Sequence, residues 1–156
     1  SLCNNSTICK VSATPGRTRL LNFFDVNKEL RLVDAPGYGY AYLDKNNDLL
    51  FAKMMREYLF KRKNLKGCCL LLDSRLKPSE DDAVMFNMII DANLPFIIIA
   101  TKCDKLNQSQ KSKVINNIVD RFQLKNPGNI YLSGLKNQKS FDNIIQAIYD
   151  ICEVEK

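Results

Sequence analysis

Four short stretches carry residue types suited to metal, phosphate and base chemistry. In "RLVDAPGYGYA" (31–41) an apolar run ends in Asp34 and is followed by Ala35, Pro36 and Gly37. A carboxylate closing a strand can hold a magnesium ion through a water, and the turn after it can offer the Gly37 N–H to a terminal phosphate. Pro-Gly also makes an ordinary surface turn, and that reading stands beside the first. In "ATKCD" Thr101, Lys102, Cys103 and Asp104 follow an apolar run. The Asp104 carboxylate can accept two N–H bonds from the Watson–Crick edge of guanine, a pair that adenine cannot supply, while the Lys102 stem can cover one face of the base. A charged approach to a helix is the plain alternative. "YLSGLKN" sets Ser133-Gly134 after Leu132, where backbone N–H groups can meet the guanine oxygen. "SATPGRTRL" sets Thr18 in a basic loop ahead of the first strand-like run, where its hydroxyl can complete a magnesium shell. Alone, each of these last two is equally a polar loop. A loop threonine, D-x-P-G, T-K-x-D and S-G, in that order and each at an expected strand end or loop, point together to a guanine-nucleotide site.

The elements that must position them follow from periodicity. "RLLNFFDV" (19–26) and "ELRLVDA" (29–35) read as strands joined by Asn27-Lys28, which is hairpin spacing and predicts an antiparallel pair. Residues 48–62 read as a helix with Phe51, Met54, Met55, Tyr58 and Leu59 on one face. "GCCLLLD" (67–73) is a continuous apolar run, as expected of a strand buried on both faces. A helix is predicted over 80–93 with Ser79 as N-cap, a buried strand over 95–104 and a helix over 109–122 with a stripe of Val114, Ile115, Ile118, Val119 and Phe122. A strand over 129–133 and a helix over 140–151 complete the order. Strand-then-helix repetition after a hairpin predicts an α/β fold: a mainly parallel sheet with one antiparallel strand and helices on both faces. Ligands of such sheets lie beyond the carboxyl ends of the strands.

A chain of 156 residues with 46% hydrophobic and 26% charged residues forms a globular domain, expected here as a single one. No apolar run reaches bilayer length, and no membrane partner is expected. The net charge of +6 suits ordinary solubility or a polyanionic partner such as RNA. Six cysteines without a C-x-x-C pair, and no His, argue against a structural zinc site and fit reduced thiols. The absence of His also removes the usual general base and the usual nucleophilic triads.

"TPGRTRLLNFF", "VDAPGYGYA", "EYLFKRKNLKG", "TKCDKL" and "LSGLKN" together resemble the EngB-type ribosome-assembly GTPases, within the translation-factor-related P-loop GTPases. The likeness runs from about Ile8 to the last helix, and "TPGRT" and "D-x-P-G-Y-G-Y-A" are specific to that family. It implies a P-loop GTPase-like fold with GTP or GDP and Mg2+ as cofactors. Gly16, Arg17, Thr18, Arg19 and Leu20 would line the nucleotide as switch I. Asp34, Ala35, Pro36 and Gly37 would form the metal-and-phosphate turn, with Thr18 and Asp34 on the metal, and Tyr38 to Ala41 would open switch II. Thr101, Lys102, Cys103 and Asp104 would hold guanine, with Thr101 standing where other GTPases have Asn. Leu132, Ser133 and Gly134 would make the last base contact, where the family more often shows Ser-Ser. The resemblance further implies a GTPase acting in large-subunit ribosome biogenesis, with ties to septation and the cell cycle. Its partners would be the large ribosomal subunit, its RNA and its proteins. Such a protein is expected to be a monomer in a bacterial cytoplasm, in preference to an organellar matrix.

One departure is large. The sequence contains no G-x-x-x-x-G-K-[ST] phosphate loop. It begins on Ser1 rather than Met, so the domain is expected to be N-terminally incomplete, lacking the first strand and the phosphate loop. Tyr38 stands where a water-orienting Gln would be, which implies slow intrinsic hydrolysis and leaves the catalytic residue unassigned. The alternative is a nucleotide-independent RNA- or protein-binding module on a degenerate GTPase fold.

Overall fold

The protein is described by a computed structural model covering residues 20–38, 45–134 and 138–153, without the side chains of 45–48. The chain divides into two compact units, one running to Leu65 and the other from Lys66 onward.

The first unit holds β1 (Asn22–Val26), β2 (Leu30–Asp34) and α1 (Lys45–Lys61). The strands pair antiparallel from Asn22↔Asp34 to Val26↔Leu30. Asn27 and Lys28 take positive φ, 50° and 62°, and the Glu29 N–H closes the turn on the Val26 carbonyl at 3.0 Å. Positive φ at both central residues matches the right-handed twist of the strands they join. The connection is three residues long rather than two, and β1 begins at Asn22, later than the apolar run that starts at Arg19. Across the hairpin Arg31 forks onto Asp25, its register partner, at 2.5 and 3.1 Å. In α1 the predicted face turns inward, with Met55 and Leu59 buried. Tyr58 meets the Phe23 ring edge-on at 6.3 Å, and the Arg62 guanidinium lies over both rings.

The second unit holds β3 (Cys68–Asp73), α2 (Glu80–Asp91), β4 (Phe96–Thr101), α3 (Gln108–Phe122), β5 (Ile130–Leu132) and α4 (Gln138–Cys152). Its sheet is parallel in the order β3-β4-β5. Ser79 caps α2 as predicted, in a reciprocal box with Asp82, and Asn107 caps α3 in the same way with Gln110. Alternation along β4 feeds two layers. Ile97 and Ile99 join Ile144 and Ala147 of α4. On the other face Phe96 meets Phe86 of α2 edge-on at 5.1 Å, and Phe86 stacks on Phe122 of α3 at 4.5 Å. Ile98, Ile118 and Ile144 are the largest fully buried side chains among the described residues. Truncating any of them to Ala would cost about 2–5 kcal/mol.

β3 corrects an expectation. Leu70 and Leu72 are buried, but Leu71 is 59% exposed and Cys69 is exposed as well. Within this unit α4 packs on β4 and β5, and α2 packs on β3, which is one of the two edge strands of the sheet. An apolar run marks a strand but does not say whether both faces are covered. Cys68, Cys69, Cys103 and Cys152 are free thiols; Cys3 and Cys9 lie outside the described residues. No described helix is long and apolar enough to cross a membrane.

Candidate functional site

Parallel register brings the carboxyl ends of β3, β4 and β5 level, with Asp73 beside Thr101 and Ala100 beside Leu132. At the end of β4 the chain turns sharply: Lys102 is left-handed, with φ 62° and ψ 23°, and Cys103–Lys105 form a single 3-10 turn. Neighbouring strands fix this turn from both sides. The Ser74 N–H donates to the Thr101 carbonyl at 3.1 Å, and Thr101 Oγ1 donates to the Leu72 carbonyl at 2.9 Å. From β5, the Ser133 N–H donates to the Ala100 carbonyl at 2.8 Å and its carbonyl accepts from the Cys103 N–H at 2.9 Å. Cys103 is buried, with Sγ 3.1 Å from the Ala100 carbonyl. Its side chain thus supports the turn and does not face outward.

Gly134 closes the arrangement. A Cβ on Gly134 would stand 2.7 Å from the Asp104 backbone nitrogen and 3.0 Å from the Asp104 Cβ. The T-K-x-D and S-G stretches, far apart in sequence, therefore form one constellation around Asp104. Ser133 is buried and its N–H is already committed to Ala100, so Gly134 supplies the next N–H of the turn. The Leu132 carbonyl accepts from Ser140 Oγ of α4, which ties the last strand end to its helix.

Asp73 was not singled out by the sequence reading. It closes β3 and gathers four donors: the Arg75 backbone N–H at 3.1 Å, Arg75 Nε at 2.9 Å, Arg75 Nη2 at 2.6 Å and Lys102 Nζ at 2.7 Å. The Arg75 hydrogen bonds first, and that from Lys102 after them, hold its carboxyl well below the usual carboxylate range. The available signal was an acid closing an apolar strand with Arg two residues on, in "LLLDSRL".

The remaining predicted residues belong to the first unit. Asp34 is the last residue of β2 and is exposed; Ala35 and Pro36 are half-buried and Gly37 is exposed. Leu20 is 73% exposed, while Gly16, Arg17, Thr18 and Arg19 lie outside the described residues. Among the described residues no group of three or more acids or cysteines is arranged to hold a metal ion. A single strand-end carboxylate fits magnesium, which keeps most of its waters and takes one or two carboxylates beside phosphate oxygens.

Comparison with known proteins bears on this geometry. Residues 1–102 match the sequence family described as "50S ribosome-binding GTPase". The chain is 54% identical over 127 residues to the "Probable GTP-binding protein EngB" of Mycoplasma mycoides, covering 79% of this chain and 65% of that protein. It is 37% identical over 153 residues to the protein of the same name from Caldanaerobacter subterraneus, covering 98% of this chain and 78% of the relative. Against several such relatives it spans just under two thirds of their length. A crystal structure of a probable GTP-binding protein engB superposes with a TM-score of 0.74 at 16% identity, over 87% of this chain and 85% of the other, which shows a shared fold.

Proposed function

The chain belongs to the 50S ribosome-binding GTPase family, in its EngB-type branch, and from that premise we propose that it is a guanine-nucleotide switch that binds GTP and GDP and hydrolyses GTP. The observation that carries this reading is the close approach of Gly134 to Asp104, which joins T-K-x-D and S-G beyond the carboxyl ends of the parallel strands. In this reading Asp104 accepts the guanine ring N–H and amine, the Lys102 stem covers the base, and the Ser133-Gly134 turn meets the guanine oxygen. Thr101 shapes the strand end through its bond to Leu72. Asp34 and Thr18 hold magnesium, which when bound neutralises charge on the phosphates. Ala35, Pro36 and Gly37 form the turn that meets the terminal phosphate, and Gly16, Arg17, Arg19 and Leu20 line the nucleotide. Hydrolysis is slow until a partner orders the switches, because Tyr38 follows the D-x-P-G turn where a water-orienting Gln would stand.

The partner in this reading is the large ribosomal subunit, met as a monomer in a bacterial cytoplasm, in ribosome biogenesis linked to septation and the cell cycle. Supporting it are the net charge of +6 and the exposed basic residues Lys53, Arg56, Lys61 and Lys63 on and just after α1. Titration of the intact gene product with fluorescent GDP, followed by competition, tests the nucleotide reading. GDP and GTP should displace the probe at least about a hundredfold better than ADP, because a site built to pair polar edges rejects analogues that leave them unpaired. Equal displacement by ADP would remove guanine specificity. No binding of any nucleotide would favour the nucleotide-independent module.

A further inference from the structure

Lys102 leaves β4 in a left-handed conformation and carries a flexible stem, so its backbone alone does not fix its ammonium. What fixes it is across the sheet. Asp73, the register neighbour of Thr101, accepts Lys102 Nζ at 2.7 Å on Oδ2. Asp73 is itself held, because Arg75 donates to the same carboxylate from its backbone N–H and from Nε and Nη2 of its guanidinium. Its side chain is only 21% exposed, while that of Lys102 is 54% exposed and reachable from outside. An oriented carboxylate on a strand end thus grips a mobile cation at the base-reading edge, and charge-assisted bonds of this length are among the stronger ones.

We propose that Asp73 is a positioning residue for guanine-nucleotide binding: fixed by Arg75, it holds Lys102 with its stem laid out as a platform for the base. This rests on the nucleotide reading above. Asp104 selects the edge of the base, and Asp73 acts only through Lys102, on its face. Order in the Lys102 stem before binding removes a cost that binding would otherwise meet. Loss of Asp73 should therefore weaken every purine nucleotide that the site accepts by the same factor and leave edge selectivity untouched.

A double-mutant cycle on the intact gene product tests this with fluorescent GDP and XDP. Asp73→Asn should raise the Kd for GDP about tenfold, the worth of one charge-assisted hydrogen bond. The same change placed in an Asp104→Asn background should raise the Kd for XDP by a similar factor. In a Lys102→Met background it should add less than about twofold, because its route of action is already gone. A purely structural role would add its full effect in all three backgrounds, and that result overturns the proposal. Unchanged GDP binding in Asp73→Asn, with the Asp104 switch to XDP intact, overturns the proposal alone. Absence of guanine-nucleotide binding in the parent overturns the nucleotide reading and this proposal with it. A second measurement needs no variant. In the parent chain Lys102 should react with an amine-acylating reagent several-fold more slowly than exposed Lys77, and equal rates would overturn the grip itself.

Discussion

Gly134 approaches Asp104 so closely that a β-carbon on it would stand 2.7 Å from the Asp104 backbone nitrogen. The obstacle is backbone, held in turn by the Cys103–Ser133 hydrogen bond, so it cannot swing aside as a flexible side chain would. Glycine is needed here for space, and Asp104 owes its place to that space.

Gly134→Ala should therefore displace Asp104 and weaken GDP binding about tenfold or more. Forcing a methyl into a packed site costs about 1–3 kcal/mol, so the urea midpoint should also fall. Isothermal titration and urea denaturation check both. Wild-type affinity in a normally folded variant would mean that the turn does not position Asp104.

Asp73 gives the protein an acid-sensitive strand end. Its carboxyl is held below its ordinary value of 3.8 by Arg75 and Lys102, so its contribution to stability is present in full above about that pH. It declines as pH falls toward the depressed folded value, by up to about 1.4 kcal/mol per pH unit. The gap in urea midpoint between the parent and Asp73→Asn should be widest near neutrality and narrow steadily below pH about 4. A gap that stays constant down to pH about 2.5 would show that the carboxylate charge contributes nothing to folding.

The strand ends were legible because local chemistry announces them. Asp34 closes β2 and Ser79 caps α2 as expected, but β4 ends at Thr101, short of the expected 95–104, because the chain turns left-handed at Lys102 and enters a 3-10 turn. Asp104 stood out as a candidate through its spacing from Lys102 and Thr101. Asp73 left only a local mark, the Arg two residues on in "LLLDSRL"; its bond to Lys102 depends on register, a relation between residues on adjacent strands. The exposed outer face of β3 was missed for a related reason: apolar content records propensity, whereas coverage depends on which helices reach the outer strand. Cys103 looked like part of a site by adjacency, but its thiol bonds inward to Ala100.

The basic residues of the first unit should carry a salt-dependent interaction with ribosomal RNA. Arg56, Lys61, Arg62 and Lys63 are all exposed; Arg62 lies over the Phe23 and Tyr58 rings, Arg56 over the Phe60 ring, and Lys61 pairs with Glu57. Replacing Arg56, Lys61 and Lys63 together by Ala should weaken large-subunit binding in sedimentation assays. Each lost phosphate contact should flatten the slope of log K against log salt by about 0.7–0.9. GDP affinity should be nearly unchanged. Binding by the triple variant that is equally tight and equally salt-sensitive would mean that this face only keeps the protein soluble.

The central claim is that Asp104 reads guanine, and the most direct measurement is the nucleotide preference of Asp104→Asn. Xanthine presents an acceptor where guanine presents its amine donor, so a carboxamide in place of the carboxylate suits the xanthine edge. Fluorescent GDP and XDP are titrated into the parent and into the variant within the intact gene product. The expected result is a reversal: GDP preferred in the parent, and XDP preferred in the variant, with GDP weakened at least about a hundredfold. Unchanged GDP affinity in a folded Asp104→Asn protein would contradict the account, because the base would then be read by some other group.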